Sequence, residues 1–246
     1  MRALRPYLAL ALLVFLGVIL STLPATLLLR VLPSRLALEQ VSGTLWQGSA
    51  AQLRLDGTVL GRLDWQLSPW RLLTLVVAAD LQLTRPDGHL EGHLTRASDG
   101  TIAAQDLRVD LPLTTLHPEH TGPSWEGRVS GTIRAVRLEQ GWPRQLDAQL
   151  TMAHLRAPQG HDDLGTFVLL FDPTQAPPTA LRGQVHDAGG PLAVSGQLLL
   201  EQNRSYRLEG FVRARRSVSE ELARTLAFLG SPDADGRRPF AISGTF

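Results

Sequence analysis

The sequence predicts a mainly β protein: an N-terminal transmembrane helix, then a curved antiparallel, β-sandwich-like sheet domain with one short helix near its C-terminus. Three observations carry this expectation. A run without charge from Tyr7 to Leu29 has about the length of a bilayer-crossing helix. Beyond Leu36 apolar and polar residues alternate, which is the period of a half-buried strand. Turn-forming clusters such as Asp56-Gly57, Pro86-Asp87-Gly88 and Asp99-Gly100 punctuate the alternating runs.

The boundaries follow from these patterns: residues 1–6 as a cytoplasmic start, 7–29 as a transmembrane signal anchor, and 30–246 as an exported, periplasmic all-β domain. Arg2 and Arg5 precede the apolar run YLALALLVFLGVILSTLPATLLL, and basic flanks tend to stay in the cytoplasm. Arg30 and Arg35 on the far side weaken that bias. A cleavable signal peptide shares the charged start, but its apolar core usually spans about 7–15 residues and precedes an A-x-A site, which is missing here. An uncleaved anchor is therefore expected, with Pro24 kinking the helix or marking its end.

The exported part reads strand by strand. Gly43-Thr44-Leu45-Trp46-Gln47-Gly48 is expected to begin the first exported strand, with Trp46 as a buried ring near the membrane. On that reading Trp46→Ala would cost about 3–5 kcal/mol. Leu53 and Leu55 alternate up to Asp56-Gly57, and Leu63, Trp65 and Leu67 resume the pattern as a hairpin. Ser68-Pro69-Trp70 opens a short helical stretch with a cap and an N1 proline. Ala79, Leu81 and Leu83, then Leu90, Gly92 and Leu94, continue the meander. Later strands are expected at Ser124–Leu138, Gln145–Leu155, Thr166–Phe171, Ala180–Val185, Pro191–Leu200, Ser205–Arg215 and Pro239–Phe246, and Leu113–Leu116 is expected to make a single helical turn. The best helix spans about 218–229: a Ser217/Glu220 capping box, Val218, Leu222, Leu226 and Leu229 on one face, and a stop at Gly230 and Pro232.

A Ser-Gly step recurs at Ser42-Gly43, Ser130-Gly131, Ser195-Gly196 and Ser243-Gly244, with uneven spacing that excludes a fixed-period solenoid. By parity, Gly127 and Gly131 share a face with Trp125, Val129 and Ile133, so these glycines either make room for a large ring or let the strand bend.

Composition removes several chemistries. All 24 basic residues are arginine and there is no cysteine. A phosphate loop or a Schiff base needs Lys, and thiol catalysis, thiolate metal sites and disulfides need Cys. A net charge of +1 with interspersed signs leaves no basic stripe for nucleic acid. His89 and His93 imitate a metal pair, but on a strand they stand about 13 Å apart at about 3.3 Å per residue and cannot share one ion. His117 and His120 read as solvated loop residues. Asp233-Ala234-Asp235-Gly236 opens like a calcium loop, yet Arg237 and Arg238 follow and the closing Glu is missing. Asp162-Asp163 has no identifiable partner, and no G-x-S-x-G elbow occurs. The expectation is a protein without catalytic, metal or cofactor residues.

The stretch GTLWQGSAAQLRLDGTVLGRLDWQLSPWRLL with the ending ARTLAFLGSPDADGRRPFAISGTF resembles the protein N family of the bacterial type II secretion system, or general secretion pathway. The motif positions are Gly43, Thr44, Leu45, Trp46, Gly48, Trp65, Pro69, Trp70, Phe228, Leu229, Gly230, Pro232, Asp233, Gly236 and Arg237. The resemblance implies a single-pass inner-membrane protein with a periplasmic domain, an accessory component of the machine that exports folded proteins across the outer membrane, and other subunits of that machine as partners. It implies no catalytic residue, so the motif positions would maintain the fold or contact a partner. Two other readings stay open on the residues: a carrier of lipid or another hydrophobic ligand in a curved-sheet groove, and an outer-membrane barrel, for which the aromatic content is thin.

Overall fold

A computed structural model describes residues 15, 17–30, 32–116, 125–158, 162–175, 180–215 and 218–245. The chain divides into two compact units, Met1–Arg85 and Pro86–Phe246.

The first unit contains four strands, β1 (Leu36–Gly43), β2 (Gln47–Leu55), β3 (Thr58–Leu67) and β4 (Val76–Arg85), each antiparallel to the next. The turn between β2 and β3 is Asp56-Gly57, both at positive φ (49° and 90°), the geometry that such a pair favours in a two-residue hairpin. Strand β1 corrects the expected start of the sheet: GTLWQG ends β1, turns and opens β2, so it begins the second strand and not the first. The alternation in LALEQVSG breaks at Gln40, which sits at φ 53° between the pairs Glu39–Gln52 and Val41–Ala50 and so hides the strand's period. Leu38, Ala50 and Trp65 form the core with Ala25, and Leu28, Leu32, Val41, Leu53, Leu63, Leu67 and Leu81 pack against it.

Of the expected 7–29 span, residues 7–14 and 16 lie outside the described residues, as do Arg2 and Arg5. The helical residues reach Ser21 and stop before Pro24. Ala25–Arg30 is a 3-10 helix whose Ala25 is buried in the core of the first unit. Among the described residues no helix is long and apolar enough to cross a membrane.

The second unit contains β5 (Gly88–Ala97), β6 (Ile102–Pro112), β7 (Glu126–Glu139), β8 (Trp142–Arg156), β9 (Phe167–Phe171), β10 (Ala180–Asp187), β11 (Leu192–Glu201), β12 (Ser205–Ala214) and β13 (Arg238–Thr245). These too pair antiparallel in chain order. Because each strand hydrogen-bonds to its neighbours in the chain, each unit is one continuous meander sheet and not two separately hydrogen-bonded sheets. In neither unit does the last strand pair with the first among the described residues, so neither closes as a barrel. Three register shifts between β7 and β8 mark bulges that bend the pair.

At Gly131, φ is 147° and an added Cβ would stand 2.1 Å from the Gln149 carbonyl, so the neighbouring backbone itself excludes a side chain. One core cluster gathers Ala148, Phe171 and Leu181; another gathers Leu192, Val212, Leu222 and Leu226.

Leu113–Leu116 is a 3-10 turn, as expected. The helix of this unit is Glu220–Ala227, shorter than 218–229. Ser217 lies outside the described residues; Ser219 is the N-cap, accepting the Leu222 N–H at 3.1 Å. Leu222 and Leu226 are buried and Val218 packs beside them. Leu229 falls beyond the last turn and is exposed.

Candidate functional site

The residues singled out in the sequence fall into two groups, one in each unit. In the first unit, Gly43, Thr44, Leu45, Trp46 and Gly48 build the β1–β2 turn. Gly43 and Gly48 form its closing pair, and Gly43 takes φ 91°. The Thr44 hydroxyl donates to the Gln47 carbonyl at 3.2 Å and accepts from the Gln47 N–H at 3.1 Å. Gly48 lies opposite Trp65, and a Cβ there would meet the Trp65 ring at 2.6 Å. The missing side chain is what lets the buried indole lie across the turn.

The turn also grips the chain that leads into it. Trp46 Nε1 donates to the Leu20 carbonyl at 2.6 Å, the Leu45 N–H to the Leu23 carbonyl at 2.7 Å, and Pro24 bridges to Thr44. Trp65 Nε1 donates to the Leu45 carbonyl at 3.2 Å, and the Leu67 N–H to the Trp46 carbonyl at 2.6 Å. Trp46 is thus half-buried and works as a clasp, whereas Trp65 is the core ring. This corrects the expectation of a fully buried Trp46. The physical reason is its place at a hairpin tip, between the ends of two strands.

Pro69 opens a 3-10 helix, Pro69–Thr74, with Ser68 at the N-cap position but making no side-chain cap bond. Trp70 is 80% exposed.

In the second unit, the FLG-x-PD-x-x-GR motif ends the helix and launches β13. Gly230 takes φ 98° after the helix, and its carbonyl accepts from Arg238 Nη1. Pro232 follows, where the missing N–H bars further helix. Asp233 Oδ1 accepts the N–H groups of Asp235 (3.0 Å) and Arg237 (2.8 Å), while Oδ2 accepts Arg237 Nε at 3.0 Å. Gly236 completes the turn by donating its N–H to the Asp233 carbonyl at 2.9 Å. Arg237 also pairs with Asp235 and lies 5.3 Å from the Phe211 ring centre. The backbone N–H of Arg237, with its guanidinium, holds the Asp233 carboxyl below the usual carboxylate range. The calcium-like DADG is therefore a turn closed by its own arginine. Phe228, at the C-cap of the helix, is 91% exposed.

The acidic pair that the sequence left without partners has them. Asp162 accepts the Ser219 hydroxyl at 2.5 Å, across 57 residues of chain. Asp163 lies 2.9 Å from His154 Nδ1 and accepts the Gly165 N–H at 2.8 Å. Burial raises the Asp163 carboxyl, but these hydrogen bonds outweigh it and the net direction is down. His89 and His93 both lie on β5, while His117 and His120 fall outside the described residues. Among the described residues no group of three His, Asp or Glu side chains could hold a metal ion.

A groove of about 980 Å³ runs over β10–β13 in this unit. Arg182, Gln184, His186, Arg207 and Glu209 line it together with Leu198, Leu199, Phe211 and Phe240, so its lining is mixed.

Residues 34–241 match the family model described as type II secretion system (T2SS), protein N. The chain belongs to this family. A type II secretion system protein N of Aeromonas hydrophila is 30% identical, with 96% of each chain covered. That of Vibrio cholerae is 29% identical over 87% of this chain and 86% of its own, and that of Klebsiella pneumoniae 26% identical over 94% and 92%. No solved structure matches. Both motif groups, the hairpin clasp and the Asp233–Arg237 turn, lie within the protein N match.

Proposed function

We propose that the chain is the protein N component of a type II protein secretion system: a non-enzymatic, inner-membrane-anchored subunit whose β units stand in the periplasm and aid export of folded proteins across the outer membrane. The observation that carries this is the family match through residues 34–241, joined to relatives that align over nearly the full chain. The apolar residues ahead of Pro24 support the anchor, and the basic residues Arg2 and Arg5 support a cytoplasmic N-terminus. Partner subunits would be met through the outer edge of β13, by strand addition, and through the exposed Phe228.

Deleting the gene and following every exported substrate tests the assignment: secretion of at least one substrate should fail, and normal export of all would overturn it. Envelope fractionation with N-terminal sequencing tests the anchor. The intact chain should stay with the inner membrane, and a mature chain beginning near Pro33 in the outer membrane would overturn that part.

A further inference from the structure

The β3–β4 connection of the first unit displays apolar side chains to an unusual degree. Trp70, Leu73 and Leu75 are 80%, 81% and 71% exposed, and Leu72 and Val77 are also exposed. The segment PWRLLTLVV holds no acid and a single cation, Arg71. Such a surface is unfavourable in water, at about 25 cal/mol per Å² of apolar area. The backbone adds to the cost: Leu75 caps the 3-10 helix at φ 57°, a left-handed conformation that glycine adopts freely and a leucine does not.

The position of this patch says what covers it. Gln66 pairs with Gln47, and the Leu67 N–H donates to the Trp46 carbonyl, so the connection leaves the sheet beside the β1–β2 turn. That turn holds the Leu20 and Leu23 carbonyls. The exposed helical residues Phe15, Val18, Ile19 and Leu20 thus reach the same end of the unit as Trp70 and Leu73. The opposite end carries Arg35 and Asp56 at the β2–β3 turn. One end of the unit therefore displays Trp70, Leu73, Leu75 and a single arginine beyond the sheet, with Asp80 set back on β4 opposite Gln66, and the other end is charged.

From this we infer that the connection Pro69–Val77 docks on a phospholipid bilayer, with Trp70, Leu73 and Leu75 in the interface and Arg71 turned to the phosphates. A tryptophan, leucines and a lone cation without acid are the composition that lies about 5–10 Å into the headgroup boundary. A protein partner would be met by a polar rim of several hydrogen-bonding side chains, whereas this segment offers only Arg71 and Thr74, whose hydroxyl already donates to the Arg71 carbonyl. The inference rests on the reading of the N-terminal apolar residues as a membrane span, and extends it: the first unit lies against the bilayer and does not swing free on a tether.

Because the chain has no cysteine, three single-cysteine variants of the full chain, Leu73→Cys, Leu20→Cys and Arg35→Cys, can each carry one environment-sensitive fluorophore. They are reconstituted in phosphatidylethanolamine/phosphatidylglycerol vesicles containing spin-labelled phospholipid. Labels at 73 and 20 should shift to the blue and lose most of their emission to the lipid quencher, while the label at 35 stays bright and yields to aqueous iodide. If the label at 20 is quenched by lipid but that at 73 only by iodide, the span stands and the docking is overturned. If neither is quenched by lipid, both fall. A label at 73 shielded from both quenchers means that protein covers the turn, which also overturns the proposal.

Discussion

Two tryptophans separated by 19 positions in the chain meet at the β1–β2 turn, one within it and one from β3, yet do different work. Trp65 is 5% exposed and fills the core of the first unit, so Trp65→Ala should cost about 3–5 kcal/mol in denaturant melts. Trp46 is half-buried, and its distinctive contribution is the indole N–H on the Leu20 carbonyl. Trp46→Phe keeps most of the ring and should lose only about 1 kcal/mol. Its clearer effect should be faster amide exchange at Leu45, whose own bond to Leu23 shares the clasp. Parity of the alternating residues placed Trp65 inward, because the period-two rule is local. No local rule distinguished Trp46, since the carbonyl it holds lies 26 residues earlier.

At the scale of elements, the helix Glu220–Ala227 shows how caps and turns are read and misread. The sequence identified the helix and its buried Leu222 and Leu226 from their spacing alone. It placed the cap at Ser217, because a capping box fits there, whereas Ser219 takes the role while also donating to Asp162. Ser219→Ala should cost about 1 kcal/mol, read by thermal or chemical unfolding. The Asp233–Arg237 turn makes a parallel case. Asp233→Ala removes the acceptor of two backbone N–H groups and the partner of Arg237. Hydrogen exchange should then quicken in β13, which starts at the next residue, more than in β10 or β11. The Ser-Gly steps turn out to be one sequence with several uses. Gly43 closes a turn, Gly131 yields to a neighbouring carbonyl, and Gly244 lies under the Tyr206 ring. Room for a ring, one of the two sequence-based explanations, has its example at Gly244, whereas the close backbone approach at Gly131 was not anticipated, and only the cross-strand partner distinguishes the two uses.

At the scale of the whole molecule, several carboxylates tie stability to pH. Asp110 is held below the usual range by Arg128, and Asp233 by the Arg237 N–H. For Asp187 burial acts upward, but hydrogen bonds from Arg215 and the Val194 N–H win and lower it. Asp163 behaves alike. With folded-state values below the unfolded ones, the unfolded chain takes up protons first as pH falls. The stabilisation is therefore present above the ordinary carboxylate value of about 3.9 and is lost on acidification through the lower folded values. The unfolding midpoint in urea should stay level from neutral pH to about pH 5 and drop steeply below about pH 4. Asp187→Asn should blunt that drop, because one linked proton site disappears.

The sequence by itself determined the class of structure: alternation set which residues face inward, Asp-Gly and Gly-Pro clusters set the turns, and the motifs set the family. Each of these is a short-range property, readable within a few residues. The tertiary structure alone decided that β1 leads into GTLWQG, that each unit is one continuous open sheet, that Asp162 serves the helix cap and that Trp70 and Leu73 face outward. Those outcomes depend on which distant backbone group lies within hydrogen-bonding reach and on which neighbour covers a side chain. No local pattern carries that information; it exists only once the strands have paired.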